Sequence, residues 1–450
     1  MTTEESAVTA RLAAFCATLG YDDLDEATVE ATTTAFVDTL GAAYAGTTTD
    51  AGARMLGYVE TLGGDEATVI GGDGPALAHL AALANGTTAH ALDVDDGHRG
   101  ASAHPGSAVI PAALALGEKH DASGETLVTA IVAGYEAMVR TAVAVQTSHR
   151  ERGFHATATT GCLGAGAAAS RVLGLDETET AHALGLAGTQ AGGLFEFMTK
   201  GSMAKRFHPG RAAMAGVIAA ELAATGFDGP DTIIEGDDGF ATAFSDEYDL
   251  STFDGLGDPF AVTESYVKPY PCCRHIHGPI QAILAIRADG ITPADVDRVE
   301  VQTYRSASYH DSAEIDNLLD AQMSIPYGVA VALATGEASL ERFDPGHADR
   351  DDVARVLART TVVATDEMEA LYPETRPVRV VVETTDGRRI EREVAYPKGA
   401  AEAPLSNDEL AAKFRDLTQE TLSAADQDAC FERLYALPAC DSVRTLAAGL

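Results

Sequence analysis

From the N-terminus to Phe253, apolar positions recur at i, i+3 and i+4, the spacing that gathers side chains on one face of an α-helix. Ala10–Leu19, Thr28–Leu40, Pro111–Leu116, Thr126–Val145, Cys162–Leu173 and Ala212–Ala224 all read this way. Gly20, Gly41, Gly117, Gly174 and Gly226 stand where a helix C-terminus favours a residue that takes positive φ without strain. Around Val299 the period changes. Val299-Glu300-Val301-Gln302-Thr303-Tyr304 alternates as a half-buried strand does. Val378–Thr384 and Ile390–Tyr396 flank Asp386-Gly387, which predicts a β-hairpin, because such turns need positive φ. Ser406, with Glu409 three residues on, marks a capping box, and helix resumes to the C-terminus.

A block with strand signals thus interrupts a helical chain. The predicted fold class is mainly α with an inserted α+β domain. A large all-helical domain spans residues 1–258 and is completed by 399–450, while 259–398 form a smaller α+β lid domain. A cleft between two such bodies is the expected place for a small-molecule site.

Composition narrows the function. Asp and Glu number 68 against 31 Lys and Arg, a formal charge of −37. That charge repels nucleic-acid phosphates and anionic membrane surfaces, so neither partner is expected. Only six of the 31 basic residues are lysine. An acid-rich surface nearly stripped of lysine resembles proteins of salt-accumulating halophiles, where molar salt shortens electrostatic repulsion to about 3 Å. A lysine retained in such a chain is expected to have a specific task. Met1–Leu19 has no basic stretch before an apolar run, and no segment reaches about 18 uninterrupted apolar residues. A cytoplasmic protein without membrane spans is the expectation. The six cysteines are scattered, which suits neither a disulfide framework nor a zinc-ribbon spacing.

In so acidic a chain, the absence of acid is informative. The four longest stretches without Asp or Glu are Gly97–Gly117, Arg152–Leu175, Phe197–Ala220 and Ser265–Ala288. They carry His98, Arg99 and His104; Arg152 and His155; Lys200, Lys205, Arg206, His208 and Arg211; and Lys268, Arg274, His275 and His277. Unpaired cations are costly in a core. Their missing counter-charge is therefore assigned to a ligand, a small di- or tricarboxylate, against the alternative that they pair with acids elsewhere in the chain. Lys205-Arg206-Phe207-His208-Pro209-Gly210-Arg211 precedes a predicted helix, whose free N–H groups favour anions.

Metal chemistry finds less support. Asp93-Val94-Asp95-Asp96 offers hard oxygens to magnesium, but no second acidic cluster accompanies it. The alternative is a carboxylate that orients His98 or His104. Cys272-Cys273-Arg274-His275-Ile276-His277 crowds soft ligands too closely to wrap one tetrahedral ion easily, so no metal is assigned. No GxGxxG after a strand, P-loop or GxSxG elbow occurs, which leaves nucleotide and serine-hydrolase chemistry unsupported.

Five motifs in one order carry a resemblance. They are Ala89-His90-Ala91-Leu92-Asp93-Val94-Asp95-Asp96 with His104-Pro105; Gly153-Phe154-His155; Lys205 to Ala212; Lys268-Pro269-Tyr270-Pro271-Cys272-Cys273-Arg274 with His277; and Ala321 to Tyr327. Together they resemble the MmgE/PrpD family, which includes 2-methylcitrate dehydratases, cis-aconitate decarboxylases and iminodisuccinate epimerases. The resemblance implies a helical domain with an α+β lid, a homodimer, and catalysis with neither metal nor organic cofactor. Carried over by motif, it places Asp93, His104, His155, Lys205 and Lys268 at catalytic positions. The same motifs offer Arg206, His208, Arg211, Cys273, Arg274 and His277 as substrate-binding candidates. Decarboxylases of the family carry His where this chain has Cys273, and Thr where it has Gly97.

The expected activity is dehydration of 2-methylcitrate or a close tricarboxylate, with decarboxylation or epimerisation as alternatives. Lys205 and Lys268, with Arg206 or Arg211, would hold carboxylates and stabilise developing charge. His104 or His155 would take the α-proton and the other would protonate the leaving hydroxyl, with Asp93 orienting one of them. A non-catalytic polyanion-binding protein would need the cations but not the histidine pair.

Overall fold

The computed structural model describes residues 7–199 and 202–450, so the first six residues of the Met1–Leu19 segment lie outside the described residues. The fold is mainly helical with a small α+β portion, and the chain divides into two compact units. One comprises Met1–Val267 and Asn407–Leu450, the other Lys268–Ser406.

In the first unit the helices Val8–Thr18, Glu26–Thr47, Gly106–Lys119, Gly124–Val145, Ala156–Leu173 and Ala204–Ala224 each overlap a segment that the periodicity predicts, and several extend beyond it. Their starts are fixed by ordinary capping: the Asp25 carboxylate accepts from the Thr28 N–H at 2.8 Å, and Ser123 accepts from Thr126 N–H at 3.2 Å. Phe36, Leu40, Ile110, Ile131, Met138 and Leu163 are among the side chains of its buried core. Gly124–Val145 is long and apolar enough to cross a membrane by length and composition, but most of it is buried within this unit.

Two predicted helix ends are corrected. Glu26–Thr47 runs on past Gly41, and Gly106–Lys119 runs past Gly117. These glycines are contact points: a Cβ on Gly41 would lie 3.0 Å from the Phe414 ring, and one on Gly117 3.3 Å from Leu127 and Val443. Gly174 and Gly226, by contrast, take φ of +64° and +87° directly after their helices, as helix-ending glycines do.

A close helix crossing sets up the site. Ala78–Ala89 meets Ala204–Ala224 at Gly86 and Gly210. A Cβ on Gly210 would sit 2.2 Å from the Leu83 carbonyl oxygen, and one on Gly86 2.7 Å from Gly210 Cα. The two backbones touch, which holds the first turns of the Ala204 helix beside the end of the Ala78 helix.

In the second unit the strands Thr360–Ala364, Val296–Thr303, Val378–Thr384 and Arg389–Val394 form one sheet in that spatial order. The first pair is parallel and the others antiparallel. The predicted strand and hairpin are both present, and Gly387 supplies the positive φ of +86° in the turn. The helices Arg274–Ala288 and Ile325–Thr335 contribute Ile276, Ile280, Val329 and Leu333 to a core shared with Val299, Val301, Val380 and Val382.

Two glycine substitutions should move stability in opposite directions. Gly210→Ala forces backbones apart and is expected to cost about 1–3 kcal/mol or more, the usual penalty of overpacking. Gly57→Ala, on the exposed side of the Asp50–Glu60 helix with nothing within 4 Å of an added methyl, should stabilise by about 0.5–1 kcal/mol. Denaturant unfolding of both variants in molar KCl measures the difference, and a harmless Gly210→Ala would contradict the backbone crossing.

Candidate active site

The chain leaves the Ala78–Ala89 helix at His90 and folds into a buried loop before the short strand Gly97–His98. Within this loop Asp93 adopts φ of +59°, a left-handed conformation that Asp tolerates better than most residues. Its carboxylate accepts from Lys205 Nζ at 2.9 Å, and both side chains are buried. The counter-charge that the acid-free stretch around Lys205 seemed to lack is thus supplied, for this lysine, by the chain itself.

Hydrogen bonds define where protons sit. His104 Nδ1 donates to the Asp96 carbonyl oxygen at 2.8 Å. A carbonyl only accepts, so the neutral ring keeps Nε2 bare, 3.8 Å from Asp93 Oδ1. His90 Nδ1 lies 2.9 Å from Asp95 Oδ2 and donates to that carboxylate. Its own Nε2 is buried with no hydrogen-bond partner among the described residues, an orphaned acceptor of the kind a ligand satisfies. The His90 ring lies between the others, 4.6 Å from His104 and 6.3 Å from His155 by centroid.

His155 is the residue before the Ala156–Leu173 helix, which starts six residues ahead of the predicted Cys162. Its Nδ1 is 2.9 Å from His208 Nδ1, so one of the two donates and the other accepts. Phe195 and Phe197 meet the His155 ring edge-on at 5.5 and 5.3 Å. This apolar wall explains its titration: burial, then His90 and Lys205, push His155 well below the usual imidazole range. Burial, with Arg211 and Lys205, holds His208 down at about 4, and burial keeps His90 at about 3 despite Asp95 beside it. Burial alone would raise Asp95, but His90 and His104 hold it well below the carboxylate range.

Asp96 is the hidden support of the loop. Its carboxylate accepts from Gly106 N–H and Tyr135 Oη, each at 2.8 Å, while its carbonyl orients His104. Burial pushes its acid up to about 7. Lys413 reaches the same loop from the C-terminal segment, donating to the Val94 carbonyl at 2.8 Å and pairing with Asp38.

Several sequence expectations change. The Lys205–Arg211 motif does not precede a helix; the helix begins at Ala204, and Pro209 lies inside it. Arg211 donates to the carbonyls of Gln190, Ala158 and Gly192 and to Cys162 Sγ, which ties these segments together. Arg206 is half-buried, with one N–H 3.5 Å from the His90 carbonyl oxygen. Arg152 pairs with Asp246 at 3.0 Å on the surface. Lys200 lies outside the described residues.

Lys268, Cys273, Arg274 and His277 belong to the second unit. Lys268 is buried there. Arg274 donates to the Pro397 and Lys398 carbonyls and to His277 Nδ1, and His277 Nε2 donates to the Cys272 carbonyl, so both hold the fold of their own motif. His90, Asp95 and Tyr135 escaped the sequence reading as site residues, although His90 and Asp95 stood within the first motif.

Residues 10–252 match the MmgE/PrpD N-terminal domain and residues 270–435 the MmgE/PrpD C-terminal domain. Among curated relatives, the cis-aconitate decarboxylase-like protein oryM of Aspergillus oryzae is 31% identical over 377 residues, covering 76% of each chain. Cis-aconitate decarboxylase of Aspergillus terreus is 26% identical over 441 residues, covering 92% of this chain and 89% of that one. The human cis-aconitate decarboxylase is 27% identical over 409 residues, covering 86% of this chain and 82% of its own.

Buried neutral histidines give the stability a definite pH dependence. His90, His149, His155 and His208 are all held below the value near 6.5 that the unfolded chain shows. Below pH ~6.5 the unfolded state binds protons that the folded state refuses, so these groups lose stability as pH falls. His275, also depressed by burial, acts in the same sense, whereas Asp96 and Glu136, raised by burial, and His310, raised by Cys273 against the effect of burial, act in the opposite one, three against five. The thermal midpoint should therefore drop between pH 7 and pH 5 in molar KCl, and less steeply in His208→Asn. A midpoint that rises over this range would contradict the burial of these rings as neutral groups.

Proposed function

The chain belongs to the MmgE/PrpD family, and on that premise we propose that it is a lyase that dehydrates 2-methylcitrate or a close tricarboxylate. The observation that carries this reading is the protonation pattern around Lys205. A buried ammonium stands beside one imidazole whose Nε2 is bare, His104, and near a second, His155, whose Nδ1 is tied to another ring.

In the proposed reaction His104 Nε2 takes the proton from the carbon next to a substrate carboxylate. Lys205 stabilises the charge that builds on that carboxylate, in a site too dry to screen it. The electron pair left on carbon forms the new double bond as the neighbouring C–O bond breaks. Once a bound polyanion has raised its affinity for protons, His155 as the imidazolium donates through Nδ1 to His208 and passes its Nε2 proton to the leaving hydroxyl, which departs as water while the ring returns to neutral. Exchange between the two histidines and solvent then restores both. The orphaned His90 Nε2 gives the substrate hydroxyl or a protonated carboxyl an acceptor.

A second reading, decarboxylation of cis-aconitate, is favoured by the names of the relatives above. Against it stand Cys273 and Gly97, two motif positions at which the resemblance to the family's decarboxylases implies His and Thr instead. A Cβ on Gly97 would lie 2.5 Å from Tyr266 Oη, so a threonine does not fit there while Tyr266 keeps its place.

Product analysis separates the two. Purified protein in molar KCl should convert 2-methylcitrate to its alkene without releasing CO₂. Release of CO₂ from cis-aconitate would transfer the assignment to decarboxylation, and inertness towards both would overturn the lyase reading. Lys205→Ala should weaken calorimetric substrate binding and lower turnover by an amount equivalent to about 3–4 kcal/mol. His155→Ala should bind nearly as the parent does yet lose about 10²–10⁴-fold in rate. Parental turnover in His155→Ala would make that ring structural.

A further inference from the structure

The second unit holds a side-chain cluster that the proposed reaction does not use. Cys273 is the residue before the Arg274–Ala288 helix, and His275 lies in its first turn. His310 comes to the same place from beyond the short Arg305–Ser308 helix. A ligand atom from each lies within 4.8 Å of the other two, and Cys273 Sγ is 3.8 Å from His310 Nε2. All three side chains are half-buried, which leaves an ion a path from solvent.

The surrounding hydrogen bonds fix the lone pairs. His310 Nδ1 donates to the Met323 carbonyl at 3.0 Å, so its neutral ring presents a bare Nε2 towards the thiol. His275 Nδ1 lies 2.6 Å from Tyr304 Oη; with the tyrosine oxygen accepting, Nε2 of this ring is bare as well. The two rings stack with centroids 5.3 Å apart. A ring tied through one nitrogen and open at the other is the arrangement that orients metal-ligating histidines. The crowding apparent in Cys272–His277 is relieved in three dimensions, because Cys272 is buried and His277 is engaged with Arg274 and the Cys272 carbonyl.

We propose that Cys273, His275 and His310 form a zinc site with an open fourth position. One sulfur and two imidazole nitrogens suit zinc in hardness and number. Zn–S and Zn–N bonds of about 2.3 and 2.0–2.1 Å, at a tetrahedral angle, place the two ligand atoms about 3.6 Å apart, close to the 3.8 Å found between Cys273 and His310. Binding expels the thiol proton, so the site contributes one negative charge to the ion. Arg376 faces His275 and opposes the dication, whereas Asp311 lies on the His310 side and favours it.

Cobalt is the probe, since a cobalt–thiolate bond absorbs in the near ultraviolet and oxygen or nitrogen ligands alone do not. The full-length protein in molar KCl, titrated with Co²⁺, should take up one equivalent with that absorption, and added Zn²⁺ should displace it. The band should be absent in Cys273→Ser, and His310→Ala should bind at least ~10-fold more weakly. His104→Ala, at the other group of possible ligands, should leave the band unchanged; circular dichroism verifies that each variant is folded. A parent protein without the thiolate band, or a band that survives in Cys273→Ser, would overturn the proposal.

Discussion

Burying the Lys205 ammonium imposes the condition to which the rest of the first unit's polar interior responds. An isolated buried charge is costly, and Asp93 offsets it at 2.9 Å, but only by adopting a left-handed backbone conformation. The pairing depends in turn on the glycine crossing that lets the Ala204–Ala224 helix lie against Ala78–Ala89. His155 and His208 are depressed by burial and by this cation together.

On the proposed reading, this arrangement receives a polyanion. Asp93 pairs with the lysine and Asp95 with His90 and His104, while burial holds His90, His155 and His208 below the usual imidazole range. An incoming carboxylate meets an ammonium fixed in orientation and rings whose proton positions are set by Asp96, Asp95 and each other. Such preorganisation costs stability in the resting protein and returns it when charge develops on a bound ligand. Asp96 and Tyr135 matter because their buried hydrogen bonds hold the loop that orients His104.

Much of this was legible in the sequence, and the exceptions share physical causes. The helix periods, the Val296–Thr303 strand and the Asp386-Gly387 turn were readable because each is a local pattern. Gly41 and Gly117 were read as helix ends because a glycine chosen for close packing and one chosen for positive φ look alike in one dimension. The helices beginning at Ala156 and Ala204 were read as starting too late, since their first turns are polar and hide the apolar stripe. The absence of acids drew attention to His104, His155 and Lys205, which lie in the same unit, but it could not show that Arg211 and Arg274 donate to carbonyl oxygens. Tyr135 and Asp96 are joined across 39 residues, a contact that no local spacing announces.

The central claim is that neutral, buried imidazoles beside Lys205 await a polyanion, and proton uptake on binding tests it most directly. Citrate binding is to be measured calorimetrically near pH 6.5 in molar KCl, using buffers of different ionisation enthalpy. An anion placed beside His155 and His208 raises the affinity for protons that burial and Lys205 now suppress. The account predicts a net uptake of protons from buffer, reduced in His155→Asn. Binding with no proton exchange, or with release, would contradict it.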